Sequence, residues 1–372
     1  MQMVDLKSQY QKLKPEIDAA VIEVLDTQQY INGAAVKRFQ AHLESYLDDA
    51  KVVPCANGTD ALQIAMMALG LKPGDEVLVP AFTYVATAEV IALLQLVPVM
   101  VDVDIDDFTI QIEGLEAYVT PRTKAIVPVH LFGQCANMEA ILKFGKDHNL
   151  FVIEDNAQAI GAKYTFSDGR VEHAGLIGDI GSTSFYPSKN LGAYGDAGAL
   201  MTRNEDLAAT CWKVANHGQG KRYYHDIVGV NSRLDSIQAA ILDVKLKYLD
   251  SFCEARQMAA DWYDAALLGI NGVILPKRAT YSTHVFHQYT MRIEGGRRDA
   301  LGAYLQENGI PHMIYYPVPL YNQGAFEQYW DGKKLPVTEQ LCAEVLSVPM
   351  HTELTVYDVD KVASAIRQFM NS

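Results

Sequence analysis

Short apolar segments alternate with helical segments through the first two thirds of the chain, and this order restricts the fold more than any other feature. Five segments have the length and apolar character of strands: 52–55, 76–80, 97–103, 124–130 and 151–155. Helical patterns lie between several of them, at 61–69, 86–96 and 138–148. A repeated strand–helix order predicts an α/β fold with a mostly parallel sheet that is covered on both faces.

The pattern changes in the last third of the chain. Residues 233–268 have helical periodicity, and 269–283 are rich in loop-forming residues. The remainder mixes strand-like segments, 287–293 and 313–318, with helical segments, 298–308 and 356–369. We therefore predict an N-terminal arm at 1–30, a large domain at 31–250, and a small C-terminal α+β domain at 251–372 that includes the connecting helix.

The charge balance and the cysteines argue against several classes of protein. The 372 residues include 31 Lys and Arg and 45 Asp and Glu, a formal net charge of −14 with no basic block, which disfavours a nucleic-acid-binding surface. No apolar run reaches the roughly 20 residues that span a bilayer, and the N-terminus lacks a signal-peptide pattern, so we expect a cytoplasmic protein with no membrane partner. The five cysteines are scattered without a CxxC pair, which predicts buried free thiols and no metal site.

The segment CANGTDAL (55–62) places a glycine between a strand end and a helix start. Free N–H groups and the positive end of the helix dipole at such a turn suit a phosphate. An ordinary helix cap by Asn57 or Thr59 explains the same residues equally well.

The segment FVIED (151–155) is an apolar strand that ends in Glu154 and Asp155, with Gln158 three residues further on. Ligands of open α/β sheets bind beyond the carboxyl ends of the strands, where these side chains emerge. Because adjacent strand residues face opposite ways, we expect only one of the two carboxylates to point into a site. The alternative is that both are solvated loop carboxylates.

The segment SFYPSKNLGAYGDAGA (184–199) contains a single lysine, Lys189, among apolar, aromatic and glycine residues. Desolvation lowers the pKa of a lysine from about 10.4, and so supplies the neutral amine that forms an imine. On composition alone, a surface lysine is an equally good interpretation. A further segment, GVNSRLD (229–235), is a polar turn that enters a helix and is unremarkable as a cap.

Taken together, these segments resemble the DegT/StrS family of pyridoxal-phosphate-dependent nucleotide-sugar aminotransferases over nearly the whole chain. The segments CANGTDAL, PAFTYVATAE, VIEDNAQA, SFYPSKNLGAYGDAGA, VGVNSRLD, YYPVPL and SVPMH occur in the family's order and approximate spacing. The resemblance implies an aspartate-aminotransferase-like large domain, a small C-terminal domain, and a homodimer whose active sites are shared at the subunit interface.

By this resemblance, Lys189 is the residue that forms the Schiff base with pyridoxal 5'-phosphate and later shuttles a proton. Asp155 faces the pyridine nitrogen, where its charge favours the protonated ring. Gln158 matches a residue that hydrogen-bonds the ring oxygen, and Tyr84 matches an aromatic residue that stacks on the ring face.

The resemblance also implies how the phosphate is held. Gly58, Thr59 and Asp60 would bind it, Asp60 through its backbone N–H because its carboxylate would repel the phosphate. The Ser184 hydroxyl would add a further contact. Asn231 would reach the phosphate from the neighbouring subunit, so that dimerisation would be a condition of cofactor binding.

The substrate contacts that the resemblance implies are His217, Arg222, Tyr315 and Tyr316. His217 and the basic aromatic segment 221–225 fall where family members line the mouth of the sugar-nucleotide site, and positive groups there suit a diphosphate or a sugar carboxylate. A solvated basic loop is the alternative. Some relatives have His where this chain has Tyr315, which leaves the role of Tyr315 and the identity of the sugar open.

The motifs are most similar to those of enzymes that aminate C3 of UDP-2-acetamido-2-deoxy-3-oxo-glucuronate. The expected donor is L-glutamate, which leaves as 2-oxoglutarate, and the expected setting is bacterial polysaccharide biosynthesis, such as that of lipopolysaccharide O-antigen. A dTDP-3-oxo-6-deoxyhexose aminotransferase and a catalytically silent PLP-binding sensor are the competing interpretations. The GxGxxG fingerprint of a nicotinamide oxidoreductase is absent, and a sugar dehydratase of this family would have His in place of Lys189.

Overall fold

The structure, a computed structural model, describes residues 1–372. The α-helices are α1 Leu6–Thr27, α2 Ala34–Tyr46, α3 Gly58–Ala68, α4 Ala86–Leu93, α5 Met138–His148, α6 Glu205–Ala215, α7 Ser236–Leu246, α8 Leu249–Leu267, α9 Arg298–Glu307, α10 Pro336–Glu344 and α11 Val356–Met370. The strands are β1 Lys51–Cys55, β2 Glu76–Pro80, β3 Val97–Val101, β4 Thr123–Ile126, β5 Phe151–Asp155, β6 Lys163–Thr165, β7 Val171–His173, β8 Ile180–Ser184, β9 Gly198–Thr202, β10 Gln219–Lys221, β11 Tyr224–His225, β12 Val273–Ile274, β13 Tyr289–Ile293 and β14 Val345–Val348.

A seven-stranded sheet in the order β1-β9-β8-β5-β4-β2-β3 forms the centre of the molecule. The pairs from β3 through β8 are parallel, and β9 is antiparallel to both of its neighbours, so β9 alone runs against the other six strands. The predicted α/β class with a mostly parallel sheet is confirmed. The six strands that run in one direction end at the same edge of the sheet, and this places the segments after them side by side.

Both faces of the central sheet are buried, which explains why its strands are apolar at nearly every position. On β2, Leu78 packs into the core on the face covered by α2, α5 and α7, whereas Val77 and Val79 pack into the core on the face covered by α3, α4 and α6. On β5, Val152 and Ile153 divide between the same two cores. All five cysteines are buried and free, as the sequence predicts.

A third core lies in the C-terminal part of the chain. It is formed by α8, α9 and α11 packed on the antiparallel sheet β12-β13-β14, with Tyr263 and Tyr289 stacked at its centre, 4.7 Å between ring centroids. The segment predicted as extended at 313–318 forms no strand; only Met313 is bridged to Ser347 of β14. The predicted division at residues 250 and 251 falls in the first turn of α8 and stays a prediction.

The N-terminal helix α1 packs on α7 through Leu13 and Ile17, which contact Ile241 and Val244 in a small apolar cluster. Its N-terminal side also touches the segment after β14, where the Met350 N–H donates to the Met3 carbonyl at 3.2 Å. No helix in the chain combines the length and the apolar character that crossing a membrane requires.

Candidate active site

Residues from five strand ends, four of them polar, meet at one edge of the central sheet. Asn57 follows β1, Ser184 ends β8, Asp155 ends β5, His130 follows β4 and Phe82 follows β2. The His130 N–H donates to the Asp155 carbonyl at 3.0 Å, which continues the β4–β5 pairing past the end of the regular strand. This edge is where open parallel sheets bind ligands.

The two carboxylates that end β5 point to opposite faces of the sheet and are both buried, so neither is a solvated loop residue. Glu154 accepts hydrogen bonds from the N–H groups of Gly175, Ile177 and Gly178 at 2.6–2.9 Å and from His130 Nε2 at 2.8 Å. Because His130 Nδ1 accepts a hydrogen bond from the Ala136 N–H, the ring proton is on Nε2, which donates to Glu154. Glu154 is therefore fully occupied in holding the loop after β7, which leaves Asp155 as the carboxylate that faces the site.

Asp155 is oriented by two hydrogen bonds. Its Oδ1 accepts from the Ala157 N–H at 3.1 Å, and its Oδ2 accepts from the Thr87 hydroxyl at 2.8 Å. Thr87 lies in the first turn of α4, is fully buried, and was not predicted as a site residue. Its only sequence signal is that Thr87 and Glu89 are the two polar residues of a mostly apolar helix that follows a strand end.

Lys189 lies in the irregular connection between β8 and β9, and its amine makes no hydrogen bond within the chain. The residue keeps part of its surface exposed, but the surrounding protein desolvates the amine and lowers the pKa of Lys189 to about 8, against the opposing effect of Asp155. An ordinary surface lysine would keep a pKa near 10.4. About one tenth of this amine is therefore neutral at pH 7, far more than at a pKa near 10.4, and the Asp155 carboxylate lies close enough to influence it.

The start of α3 lies directly against the end of β8. A Cβ atom added to Gly58 would lie 2.7 Å from the Ser184 Cβ, so only glycine allows this approach. The N–H groups of Gly58 and Thr59 have no acceptor in the chain, as expected at the first turn of a helix. Together with the Ser184 hydroxyl, these donors form a cradle for an anionic oxygen group.

The predicted contribution of Asp60 requires a correction. Its N–H is not free, because it donates to the Asn57 side-chain oxygen at 2.7 Å and so completes the N-cap of α3. The cap and the anion site, which the sequence presents as alternatives, are both present and use different N–H groups. The route predicted for Asp60 is therefore wrong, and the free donors are those of the two residues before it.

Gln158 has a fixed orientation. Its Oε1 accepts from the Phe132 N–H at 2.8 Å, which identifies the oxygen side of the amide, and its Nε2 donates to the Tyr316 hydroxyl at 3.1 Å. The Tyr316 ring lies 6.3 Å from that of Tyr84 and 6.0 Å from that of Tyr315, and burial raises the pKa of Tyr316. Gln158, Tyr84 and Tyr316 thus lie on one wall of the site. Tyr316, which was predicted as a substrate contact, therefore lies next to two residues that were predicted to contact the cofactor.

Three predicted residues lie outside this cluster within the single chain. His217, Arg222 and Asn231 are exposed, and their side chains make no hydrogen bond within the chain. His217 and Arg222 belong to the hairpin region of β10 and β11, where the Arg222 guanidinium lies 5.1 Å from the Tyr223 ring centroid. Their roles toward the substrate and the neighbouring subunit stay predictions.

A buried imidazole behind Lys189 was also missed. His287 is 6% exposed, and its Nδ1 has no hydrogen-bond partner. Burial, with smaller effects from the charges of Lys189 and Arg256, holds the pKa of His287 well below its ordinary value. No local motif marks this residue, which reaches the site only through the packing of the C-terminal part on the sheet.

Comparison with known proteins agrees with this geometry. Residues 11–367 match the model of the DegT/DnrJ/EryC1/StrS aminotransferase family. The chain is 46% identical to the pleiotropic regulatory protein of Geobacillus stearothermophilus, with 99% of both chains covered, and 42% identical to the UDP-2-acetamido-2-deoxy-3-oxo-D-glucuronate aminotransferase of Pseudomonas aeruginosa, with 98% of this chain and 99% of that one covered.

Among solved structures, DesV of S. venezuelae in complex with a ketimine intermediate superposes with a TM-score of 0.95 at 37% identity, covering 100% of this chain and 98% of that one. The family match spans nearly the whole sequence, and the edge of the central sheet brings together a desolvated lysine, a buried carboxylate and an anion cradle. The chain therefore belongs to the DegT/DnrJ/EryC1/StrS aminotransferase family and is an enzyme that depends on pyridoxal phosphate.

Proposed function

We propose that this enzyme transfers the amino group of L-glutamate to C3 of a UDP-linked 3-oxo sugar such as UDP-2-acetamido-2-deoxy-3-oxo-glucuronate, in bacterial polysaccharide biosynthesis. The observation that carries the reaction type is the desolvated amine of Lys189 beside the Asp155 carboxylate. The sugar is supported by the 42% identity to the P. aeruginosa enzyme that bears that name.

The residues present fit pyridoxal phosphate. The free N–H groups of Gly58 and Thr59, together with the Ser184 hydroxyl, suit its phosphate, and Asp155 suits its ring nitrogen. When bound, the cofactor supplies an aldehyde for an amine and a ring that accepts electrons from the substrate carbon. Tyr84 and the remaining N–H of Gln158 would orient the ring.

The chain's own groups carry the proton transfers in this proposal. The neutral amine of Lys189 is first a nucleophile and, once displaced by the incoming amino group, a base and acid placed at the substrate carbon. Thr87 keeps one oxygen of Asp155 in place, which directs the other side of the carboxylate toward the ring nitrogen. Lys189 would move the proton in opposite directions in the glutamate and sugar half-reactions, whereas Asp155 would have the same role in both.

The sugar can be identified by running the reaction in reverse. Purified enzyme would be incubated with 2-oxoglutarate and a panel of UDP- and dTDP-linked 3-amino sugars, and products would be followed by mass spectrometry. We expect loss of the amine from the UDP-linked 3-amino-glucuronate and formation of glutamate. Turnover of a dTDP-linked 3-amino-6-deoxyhexose alone would favour the competing assignment.

A regulatory role is the second candidate, because the relative that is 46% identical is named as a regulatory protein. Glutamate alone distinguishes the two, since an active enzyme loses the visible absorbance of its bound cofactor when it takes up the amino group. We expect that loss. A protein that binds the cofactor but responds to no amino donor would support the sensor.

We further propose a cytoplasmic homodimer in which Asn231 completes the site of the neighbouring subunit. The hairpin region before Asn231 exposes Tyr223 and Tyr224 at 77% and 65%, and Val228 at 86%, which is unusual for apolar side chains that stay in water. The Asn231 side chain is exposed and makes no hydrogen bond in its own chain, so its amide is available to a partner.

A mixed dimer tests this sharing. An Asn231→Ala chain paired with a Lys189→Ala chain retains one site with an intact lysine and an intact partner asparagine, so we expect about half of the parent activity. Each variant alone should be impaired, and Asn231→Ala should retain the cofactor less well. If Asn231 acted within its own chain, the mixed dimer would have no complete site and would show no gain over the separate variants.

A further inference from the structure

The connection that carries Lys189 has no regular secondary structure. Residues 185–197, here called the lysine segment, link β8 to β9 and are closed at the base by the Phe185 N–H, which donates to the Ala197 carbonyl at 2.8 Å. The Ala193 N–H donates back to the Phe185 carbonyl, also at 2.8 Å. The position of the Lys189 amine therefore depends on what holds the middle of this segment.

Two side chains of α7 bind the backbone of the lysine segment directly. Gln238 Oε1 accepts from the Tyr194 N–H at 2.9 Å, and Lys245 Nζ donates to the Gly192 carbonyl at 2.5 Å. The two residues are seven positions apart, which places them on one face of the helix about two turns from each other. They hold the segment at two points on its C-terminal side.

Burying the Lys245 amine beneath the lysine segment costs free energy. It is 1% exposed and has no carboxylate partner, and burial, followed by the charge of Arg256 on α8, lowers the pKa of Lys245 to about 7. A methionine of similar length would fill the space without the cost of desolvating an amine. The Gly192 carbonyl is the one hydrogen-bond acceptor of Lys245 in the chain.

The backbone around residue 192 leaves no room for a side chain. A Cβ atom at this position would lie 2.3 Å from the Pro187 carbonyl oxygen, so the turn requires glycine. The Tyr194 ring contributes a packing contact, because the Lys245 amine lies 5.2 Å from its centroid. The side-chain hydrogen bonds to the backbone of Gly192 and Tyr194 thus both come from α7.

We propose that Lys245 and Gln238 are positioning residues for the aminotransfer reaction, which hold the lysine segment so that the Lys189 amine meets the cofactor aldehyde in a reactive geometry. The proposal rests on the role of Lys189 in the proposed function. Neither residue is assigned contact with the cofactor or the substrate.

The test measures how fast apoenzyme attaches pyridoxal phosphate, followed by the visible absorbance of the lysine–cofactor bond and by its trapping with borohydride. Lys245→Met and Gln238→Met remove the two hydrogen bonds and keep the bulk of each side chain. We expect each to slow attachment about tenfold, because small misplacements of reacting groups have effects of that order or larger. The pH midpoint of the absorbance should also shift.

Val244→Ala is the matched control, since Val244 is a buried α7 residue whose apolar cluster packs against Tyr194 but which makes no hydrogen bond to the lysine segment. It should lower the melting temperature and leave the attachment rate and the pH midpoint unchanged. Lys245→Arg, which retains a donor, should recover part of the rate lost in Lys245→Met. If Lys245→Met does not fold, Gln238→Met, at a half-buried position, decides the question alone.

The proposal is overturned if the Met variants change only the melting temperature, as the Val244 control does. Failure of the proposed function would look different, because the unaltered protein would then form no borohydride-trappable bond at Lys189. Attachment in the unaltered protein with parent-like rates in both Met variants refutes the positioning role alone.

Discussion

Lys189→Ala should abolish covalent attachment of pyridoxal phosphate and reduce turnover by more than about 10³-fold, since acid–base catalysis by one positioned group contributes about 10²- to 10⁴-fold and the covalent step is lost as well. The amine makes no hydrogen bond in the chain, so its removal breaks no such contact and the variant should still fold. Mass spectrometry after borohydride reduction measures the attachment, and a coupled glutamate assay measures turnover.

The pH dependence of attachment gives an independent check on the same amine. Because the pKa of Lys189 is about 8 in the folded protein, the neutral form and the attachment rate should increase as pH rises through that value. The lowered pKa also means that the folded apoenzyme gains stability from this group as pH rises from about 8 to about 10.4, where the unfolded chain still binds the proton. Lys146→Ala, at an exposed and unpaired lysine of α5, should leave attachment, turnover and both pH profiles unchanged.

Asp155→Asn should lower turnover by about 10²- to 10³-fold, the range found when one preorganised electrostatic group is removed from an active site. Asparagine keeps the shape of the side chain, and its amide can still hydrogen-bond near the ring nitrogen. It cannot supply the negative charge that favours a protonated ring. Steady-state kinetics with glutamate and 2-oxoglutarate measure the loss, and circular dichroism checks that the fold is retained.

Thr87→Val separates charge from orientation at the same carboxylate. It removes one hydrogen bond to Asp155 and keeps the charge, so the loss should stay within about tenfold, equivalent to about 1 to 1.5 kcal/mol. Asp147→Asn, at an exposed carboxylate that pairs with Lys143, is the control for the change of net charge in Asp155→Asn. Equal losses of turnover in Asp155→Asn and Thr87→Val would show that the orientation of the Asp155 side chain, and not its negative charge, determines the rate.

The elements of the large sheet could be predicted because their signals are local. The bounds of α5, β5 and β2 agree with the prediction, because α5 has a clear helical period and the two strands are short apolar runs with clear flanking residues. The antiparallel direction of β9 could not be predicted from a short apolar run, because strand direction depends on how the connection returns to the sheet.

The candidate site shows the same limit. Asp155 and Lys189 stand out because a polar residue at a strand end and a lysine among glycines are local anomalies. Thr87 and His287 gain their significance only from tertiary packing, which brings α4 and the C-terminal part of the chain to the edge of the sheet. The burial of Lys245 likewise cannot be recognised from the sequence of α7, which is otherwise typical of a buried helix.

The opposed carboxylates at the end of β5 make this strand intolerant of insertions and deletions. One residue added or removed ahead of Glu154 would shift the register of β5 by one position and exchange the faces of the two carboxylates. Glu154 would then point into the site, and Asp155 would point toward the backbone of residues 175–178. Length variation should therefore accumulate in surface turns such as 166–170, whereas β5 stays constant in length among active variants.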